Sequence, residues 1–142
     1  MMPFTQHCGV VLPLLRDNID TDAIIPSREM RTVSRSGLAA GLFATWRYLD
    51  PDARTPNSEF ALNQSEYNGA SVLLVGDNFG CGSSREHDVW ALMESGFRAV
   101  IAPSFATIFR NNALRNGLLT VALAQHELDE LVAWVGADPV AN

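Results

Sequence analysis

Ser71–Leu92, SVLLVGDNFGCGSSREHDVWAL, is the stretch that decides how this chain is read. Ser71-Val72-Leu73-Leu74-Val75-Gly76 is a short apolar run closed by a turn residue, the pattern of a buried strand. Gly80 and Gly82 follow, and glycine lets the backbone take conformations closed to other residues and bring its N–H groups close to a ligand. Ser83-x-x-Glu86 is a capping-box pattern, so a helix is expected to start there, with Val89, Leu92 and Met93 on its inner face. Free amides, the positive end of a helix, the hydroxyls of Ser83 and Ser84, and Arg85 would then point to one spot that suits a carboxylate or phosphate. A glycine-rich turn capped by serine is also how many α/β proteins simply begin a helix. The capping box alone leaves both readings open; the second serine and Arg85 favour the anion site, because a cap needs one hydroxyl and no cation.

Several familiar anion loops are excluded by inspection. A dinucleotide fingerprint beginning at Gly80 and Gly82 would meet Arg85 where its third small residue belongs. A Walker A loop needs lysine, and all 10 basic residues here are arginine, which also removes Schiff-base chemistry on lysine. No G-x-S-x-G elbow occurs. Asp20-Thr21-Asp22 starts like a calcium loop, but Ile24 takes the next ligand position and no loop glycine follows.

Composition narrows the class further. The chain has 142 residues, 47% hydrophobic and 18% charged, which suits one globular domain with a modest core. A net charge of −6 argues against a nucleic-acid surface, and no apolar run reaches membrane-span length. Met1–His7 has neither a basic n-region nor an apolar h-region, so a cytoplasmic protein is expected. Two cysteines, Cys8 and Cys81, are too few for a disulfide framework and too few to hold an iron–sulfur cluster. Cys8 reads as a core residue, and Cys81 as a small residue filling the loop between two glycines.

Along the chain, 9–15 reads as a first strand, with Pro13 marking an edge or bulge. Residues 16–22 read as a polar loop, and 37–48 as a helix carrying Leu38, Leu42, Phe43 and Trp46. A Pro- and Asp-containing loop is expected over 50–58. After the central strand and helix, 97–102 is a strand. Pro103-Ser104 opens a helix with Phe105, Ile108 and Phe109 inside and Gly117 as its stop. Residues 118–123 form another strand, and 126–135 a closing helix through Leu128, Leu131, Val132 and Val135. Alternating strands and helices from Ser71 onward imply an α/β layer structure with a partly parallel sheet.

Three segments carry a family resemblance: Asn18-Ile19-Asp20-Thr21-Asp22-Ala23-Ile24-Ile25-Pro26, Asn78-Phe79-Gly80-Cys81-Gly82-Ser83-Ser84-Arg85-Glu86-His87, and Ile101-Ala102-Pro103-Ser104-Phe105-Ala106-x-Ile108-Phe109. In this order and spacing the chain resembles the small subunits of isopropylmalate isomerase, in the aconitase superfamily. The resemblance implies a swivelling β/β/α domain of three layers, with residues 1–142 forming a single domain shorter at its C-terminus than many relatives. It implies a large partner subunit that carries a [4Fe–4S] cluster with one iron open to substrate, and a small dicarboxylate as substrate. The implied reaction interconverts 2- and 3-isopropylmalate through isopropylmaleate, in leucine biosynthesis.

Carried over by the motif, Ser83 is the base, acting as alkoxide, and Ser84, Arg85 and Gly82 bind a substrate carboxylate. The alternative for Ser83 is the helix cap itself. Asp20, Thr21 and Asp22 face the same cleft in this reading, or form a polar turn before a strand. Arg28, Arg31 and Arg35 lie where related enzymes select the substrate's side chain, although any one of them also reads as a solvated surface arginine. His87 reads as an end-of-motif or ordinary helix-surface residue. The sequence departs from the usual pattern at Ser27-Arg28-Glu29-Met30 and at Asp88, which leaves open a hydro-lyase subunit for another branched malate of methylmalate or homoaconitase type. A stand-alone dicarboxylate-binding module is the non-enzymatic alternative.

Overall fold

The computed structural model describes residues 10–26, 38, 41–50, 55–57, 60, 63, 69–82 and 86–137. Its frame is a parallel four-stranded sheet in the order β1-β4-β5-β6, formed by Val11–Leu14, Val72–Val75, Ala99–Ala102 and Leu119–Ala122. All four residues of β4 are buried, as the unbroken apolar run requires of a strand covered on both faces. Pro13 stands on β1, which among the described strands pairs with β4 alone and so lies at the edge of this four-stranded sheet, where a residue can lack a donor.

Side chains alternate across this sheet. Leu12, Leu14, Leu73, Val75, Val100 and Ala102 face the larger core, shared with Val89 and Leu92 of α3 (His87–Glu94) and Phe109 and Ala113 of α4 (Thr107–Asn116). Val11, Val72, Leu74 and Ala99 face the other way, against Leu128, Leu131 and Val132 of α5 (Gln125–Ala137). The class is the α/β arrangement expected, with helices on both faces of a parallel sheet. No helix among the described residues is long and apolar enough to cross a membrane.

Elsewhere the elements differ from the expected ones. The loop expected over 16–22 contains Asp20 as N-cap of a single turn, α1 (Thr21–Ile24). The expected helix over 37–48 contracts to α2 (Ala44–Arg47). Its N-cap Phe43 takes φ 53°, its N–H donates to the carbonyl of Ile24, and its ring stacks on Trp46 at 6.1 Å. Apolar spacing there marked buried residues correctly, since Leu38, Leu42 and Phe43 are all in the core, but not a continuous helix. The expected loop over 50–58 contains a small antiparallel pair, β2 (Tyr48–Asp50) with β3 (Thr55–Pro56).

Helix α3 begins at His87, later than Ser83. Glu86 is its N-cap, with no side-chain cap bond, and its carboxylate is taken up by Arg115 and Asn116. Helix α4 begins at Thr107, because the Ser104 hydroxyl is committed to Asp77 and to the N–H of Asn78. Starting later turns Ile108 outward, 49% exposed, whereas Phe109 is buried and Phe105 half-buried. Gly117 ends α4 at φ 85°, as expected.

Phe109→Ala should therefore cost about 3–5 kcal/mol in urea unfolding, and Ile108→Ala within about 0.5 kcal/mol. Equal costs would contradict this register of α4.

Candidate active site

Each of the three parallel strands β1, β4 and β5 runs off its carboxyl end into a loop, and these loops keep pairing beyond the sheet. Asn18 donates its N–H to the carbonyl of Asp77 at 2.8 Å, Gly80 to Ile19 at 2.8 Å, and Thr21 to Cys81 at 2.8 Å. Asp20 and Cys81 thus form a parallel bridge, and Phe79 and Phe105 form a second one. The three sequence motifs are laid side by side outside the strand ends. Open parallel sheets characteristically bind ligands in that position.

Side chains fix the loops to one another. Asp17 Oδ1 accepts the N–H of Asp77 at 2.8 Å, and Ser104 Oγ accepts the N–H of Asn78 at 2.9 Å while donating to Asp77 Oδ1. Asn18 and Asn78 both hold left-handed backbones, φ 54° and 56°, and join through Asn78 Nδ2 and Asn18 Oδ1 at 3.1 Å. Asparagine tolerates that region better than other residues with a Cβ. The sequence reading quoted both asparagines within motifs but gave them no role; two asparagines at matching loop positions were the available signal.

Phe79 is the apolar anchor beneath this polar lattice. It is fully buried and meets Phe109 edge-to-face at 5.0 Å and Phe105 at 6.4 Å. Gly80 follows at φ 85° directly over the Phe109 ring, and a Cβ there would collide with the ring. Conformation and space both demand glycine at this position.

Of the residues expected to act, Gly82 is exposed at φ 98°, and a Cβ on it would lie 3.4 Å from Thr21 Oγ1 and 3.5 Å from Asp20 Cβ. The structure therefore brings Asp20 and Thr21 against Gly82. Thr21 is buried at 4% exposure, whereas Asp20 and Asp22 are exposed. Asp20 Oδ1 accepts the N–H of Ala23 at 2.7 Å, so the turn-capping role is realised. Ser83, Ser84, Arg85, Arg28, Arg31 and Arg35 lie outside the described residues, as does Cys8. Cys81 is half-buried in the loop, and the His87 ring lies 5.0 Å from Trp90 on the first turn of α3. Asp88, noted in the sequence only as a departure, is fully buried.

The described rim is acidic. Asp17, Asp20, Asp22 and Asp77 are all exposed there, and the first, second and last hold loop N–H or hydroxyl groups. Arg16, the neighbouring cation, lies over the Trp46 ring at 4.2 Å and helps line an open cavity of about 480 Å³ beside α2.

Comparison with known proteins matches this arrangement. The aconitase C-terminal domain model matches residues 1–126. Over 142 residues the chain is 63% identical to the 3-isopropylmalate dehydratase small subunit of Cupriavidus necator, covering 100% of this chain and 68% of that protein. The chain belongs to the 3-isopropylmalate dehydratase small-subunit family. A crystal structure of a 3-isopropylmalate dehydratase from Methanocaldococcus jannaschii matches this family member with a TM-score of 0.64 and 38% identity, over 84% of this chain. The chain spans 63% of the length of that structural relative.

Two substitutions test the loop frame. Gly80→Ala should destabilise the chain by roughly 2–4 kcal/mol in chemical unfolding. Asp20→Ala should cost about 1 kcal/mol through the lost cap, and Asp20→Asn close to nothing, since asparagine caps as well as aspartate. Equal losses from the two Asp20 variants would mean the cap is not what Asp20 contributes.

Proposed function

We propose that this chain is the small subunit of an isopropylmalate isomerase, a hydro-lyase of leucine biosynthesis that acts in the cytoplasm together with a large subunit. The observation that carries the reading is the convergence of all three family motifs on one carboxyl edge, in a chain 63% identical to a named small subunit along its whole length.

The chain does not suit a [4Fe–4S] cluster. It has two cysteines against the three or four thiolates such a cluster takes, and no group of three or more metal-ligating side chains occurs among the described residues. In this reading the cluster belongs to the large subunit, and the work of this chain is proton transfer and carboxylate binding.

The reaction removes a proton from a carbon beside a carboxylate while hydroxide leaves the neighbouring carbon. Water then adds to the double bond in the opposite sense. Ser83 takes and returns the carbon-bound proton. Serine is a base at neutral pH only if its alkoxide is stabilised, and Arg85 of the same motif carries a charge of the sign required. Arg85 and Ser84 bind a substrate carboxylate, Arg85 in the bidentate manner open to a guanidinium. The exposed backbone at Gly82 admits that carboxylate close to Thr21. Arg85 is the cation of this chain for a substrate carboxylate, the segment carrying Arg28, Arg31 and Arg35 selects the substrate's side chain, and the large subunit supplies the remaining contacts.

The test mixes the chain with its large subunit under anaerobic conditions and follows isopropylmaleate absorbance after addition of 3-isopropylmalate. Turnover should require both chains, and Ser83→Ala should lower kcat by about 10²–10⁴-fold. Arg85→Lys should raise KM about tenfold, since lysine cannot make the paired bond. An assembled mixture active on methylmalate and silent on isopropylmalate would reassign the substrate. Tight dicarboxylate binding by the chain alone, without turnover in the mixture, would reassign it as a binding module.

A further inference from the structure

Glu86 closes the Ser83-Ser84-Arg85 motif, and its carboxylate is held by the last turn of α4. Oε1 accepts from Arg115 Nη2 at 3.2 Å, and Oε2 from Asn116 Nδ2 at 3.4 Å. These two residues are themselves braced. Arg115 also donates to Oδ1 of Asn112, a side chain 5% exposed, and Asn116 Nδ2 donates to the Asn112 carbonyl at 2.8 Å. Asn116 Oδ1 meanwhile accepts from Trp90 Nε1 at 3.2 Å, one turn further along α3. At the other end of the loop, Gly80 rests on the ring of Phe109, also on α4. One helix therefore grips both flanks of the motif, at Gly80 through an aromatic ring and at Glu86 through a polar clamp.

We propose that Arg115 and Asn116 are positioning residues for the reaction, fixing Glu86 and thereby where Ser83, Ser84 and Arg85 stand relative to substrate. This rests on the isomerase reading above. The Arg115–Glu86 pair is partly solvated, 65% and 34% exposed, and pairs of that kind add little to global stability. Misplacing a reacting group by about 1 Å, in contrast, costs about 10²-fold in rate. The clamp should matter for turnover far more than for folding.

The experiment compares variants in the complex with the large subunit, with kcat expressed per assembled complex. Arg115→Met should lower kcat about tenfold, within the range misplacement allows, with KM and the unfolding midpoint nearly unchanged. Arg115→Lys, which keeps a cation in reach of Glu86, should restore most of the rate. Arg110→Met, an exposed change on the same helix, should leave turnover unaltered. Glu86→Gln retains an acceptor for Asn116 and removes the ion pair, so a smaller loss of about threefold is expected, and it decides the matter should Arg115→Met not assemble. The Trp90 amide, which donates to the Glu86 carbonyl at 3.1 Å, should exchange its hydrogen faster in Arg115→Met. Unchanged kcat in both Arg115→Met and Glu86→Gln overturns the inference while leaving the isomerase reading intact. A wild-type complex that assembles with its cluster and turns over no isopropylmalate overturns the isomerase reading, and this inference with it.

Discussion

The edge-to-face contact of Phe79 with Phe109 is the constraint on which the rest of the molecule turns. Phe79 sits in the loop leaving β4, Phe109 near the start of α4, and their rings meet in the larger core. Because Phe79 is drawn inward, its neighbour Asn78 stays exposed, and Gly80 is pressed against the ring where only glycine fits. The loop then lies alongside 18–21, and the backbone bonds between them follow. Burial of one aromatic side chain thus sets the height of a polar loop above the sheet. Such a side chain contributes on the order of 1.5–3 kcal/mol through burial, more than a typical neutral hydrogen bond of about 1 kcal/mol.

Polar groups at the carboxyl edge divide into those that build and those left over. Asp17, Asp20, Asp77, Ser104, Asn18 and Asn78 are all engaged in holding loops to loops or capping a turn. A site assembled from three loops has no ladder of its own, so each buried or strained turn needs a side-chain partner. This accounts for the acidic residues along this edge: Asp17, Asp20 and Asp77 serve backbone N–H and hydroxyl groups of the loops.

Much of this was legible in the sequence, for reasons that can be named. The run Val72–Val75, short, apolar and closed by Gly76, reads as a buried strand and Gly117 as a stop, so an α/β frame with a partly parallel sheet followed from local pattern. The misreadings share one physical cause. Ser83-x-x-Glu86 has the spacing of a capping box, but Glu86 found Arg115 and Asn116, partners far along the chain that no local pattern displays. Ser104 looked like a helix start and became a tie between loops. Phe43 kept its place in the core while the backbone beneath it left the helix. Apolar periodicity reports burial faithfully; where polar side chains spend their bonds is a tertiary matter. The arginines assigned to substrate lie outside the described residues, so the site is legible as a frame more fully than as a set of ligands.

The pairing of β1 with β4 carries a consequence for how the protein comes to be. The Asp77–Asp17 bond that locks their loops joins positions 60 residues apart, whereas β4, α3, β5, α4 and β6 follow one another with short connections. Closing the longer loop costs more chain entropy before any contact repays it, and non-local parallel pairing is slow. Among the described strands β1 pairs with β4, so its place in the sheet waits on a segment about 60 residues further along the chain. Pairing of the 17–21 and 77–81 loops thus carries the larger chain-entropy cost of the described contacts, and it depends on β1 and β4 meeting across those 60 positions.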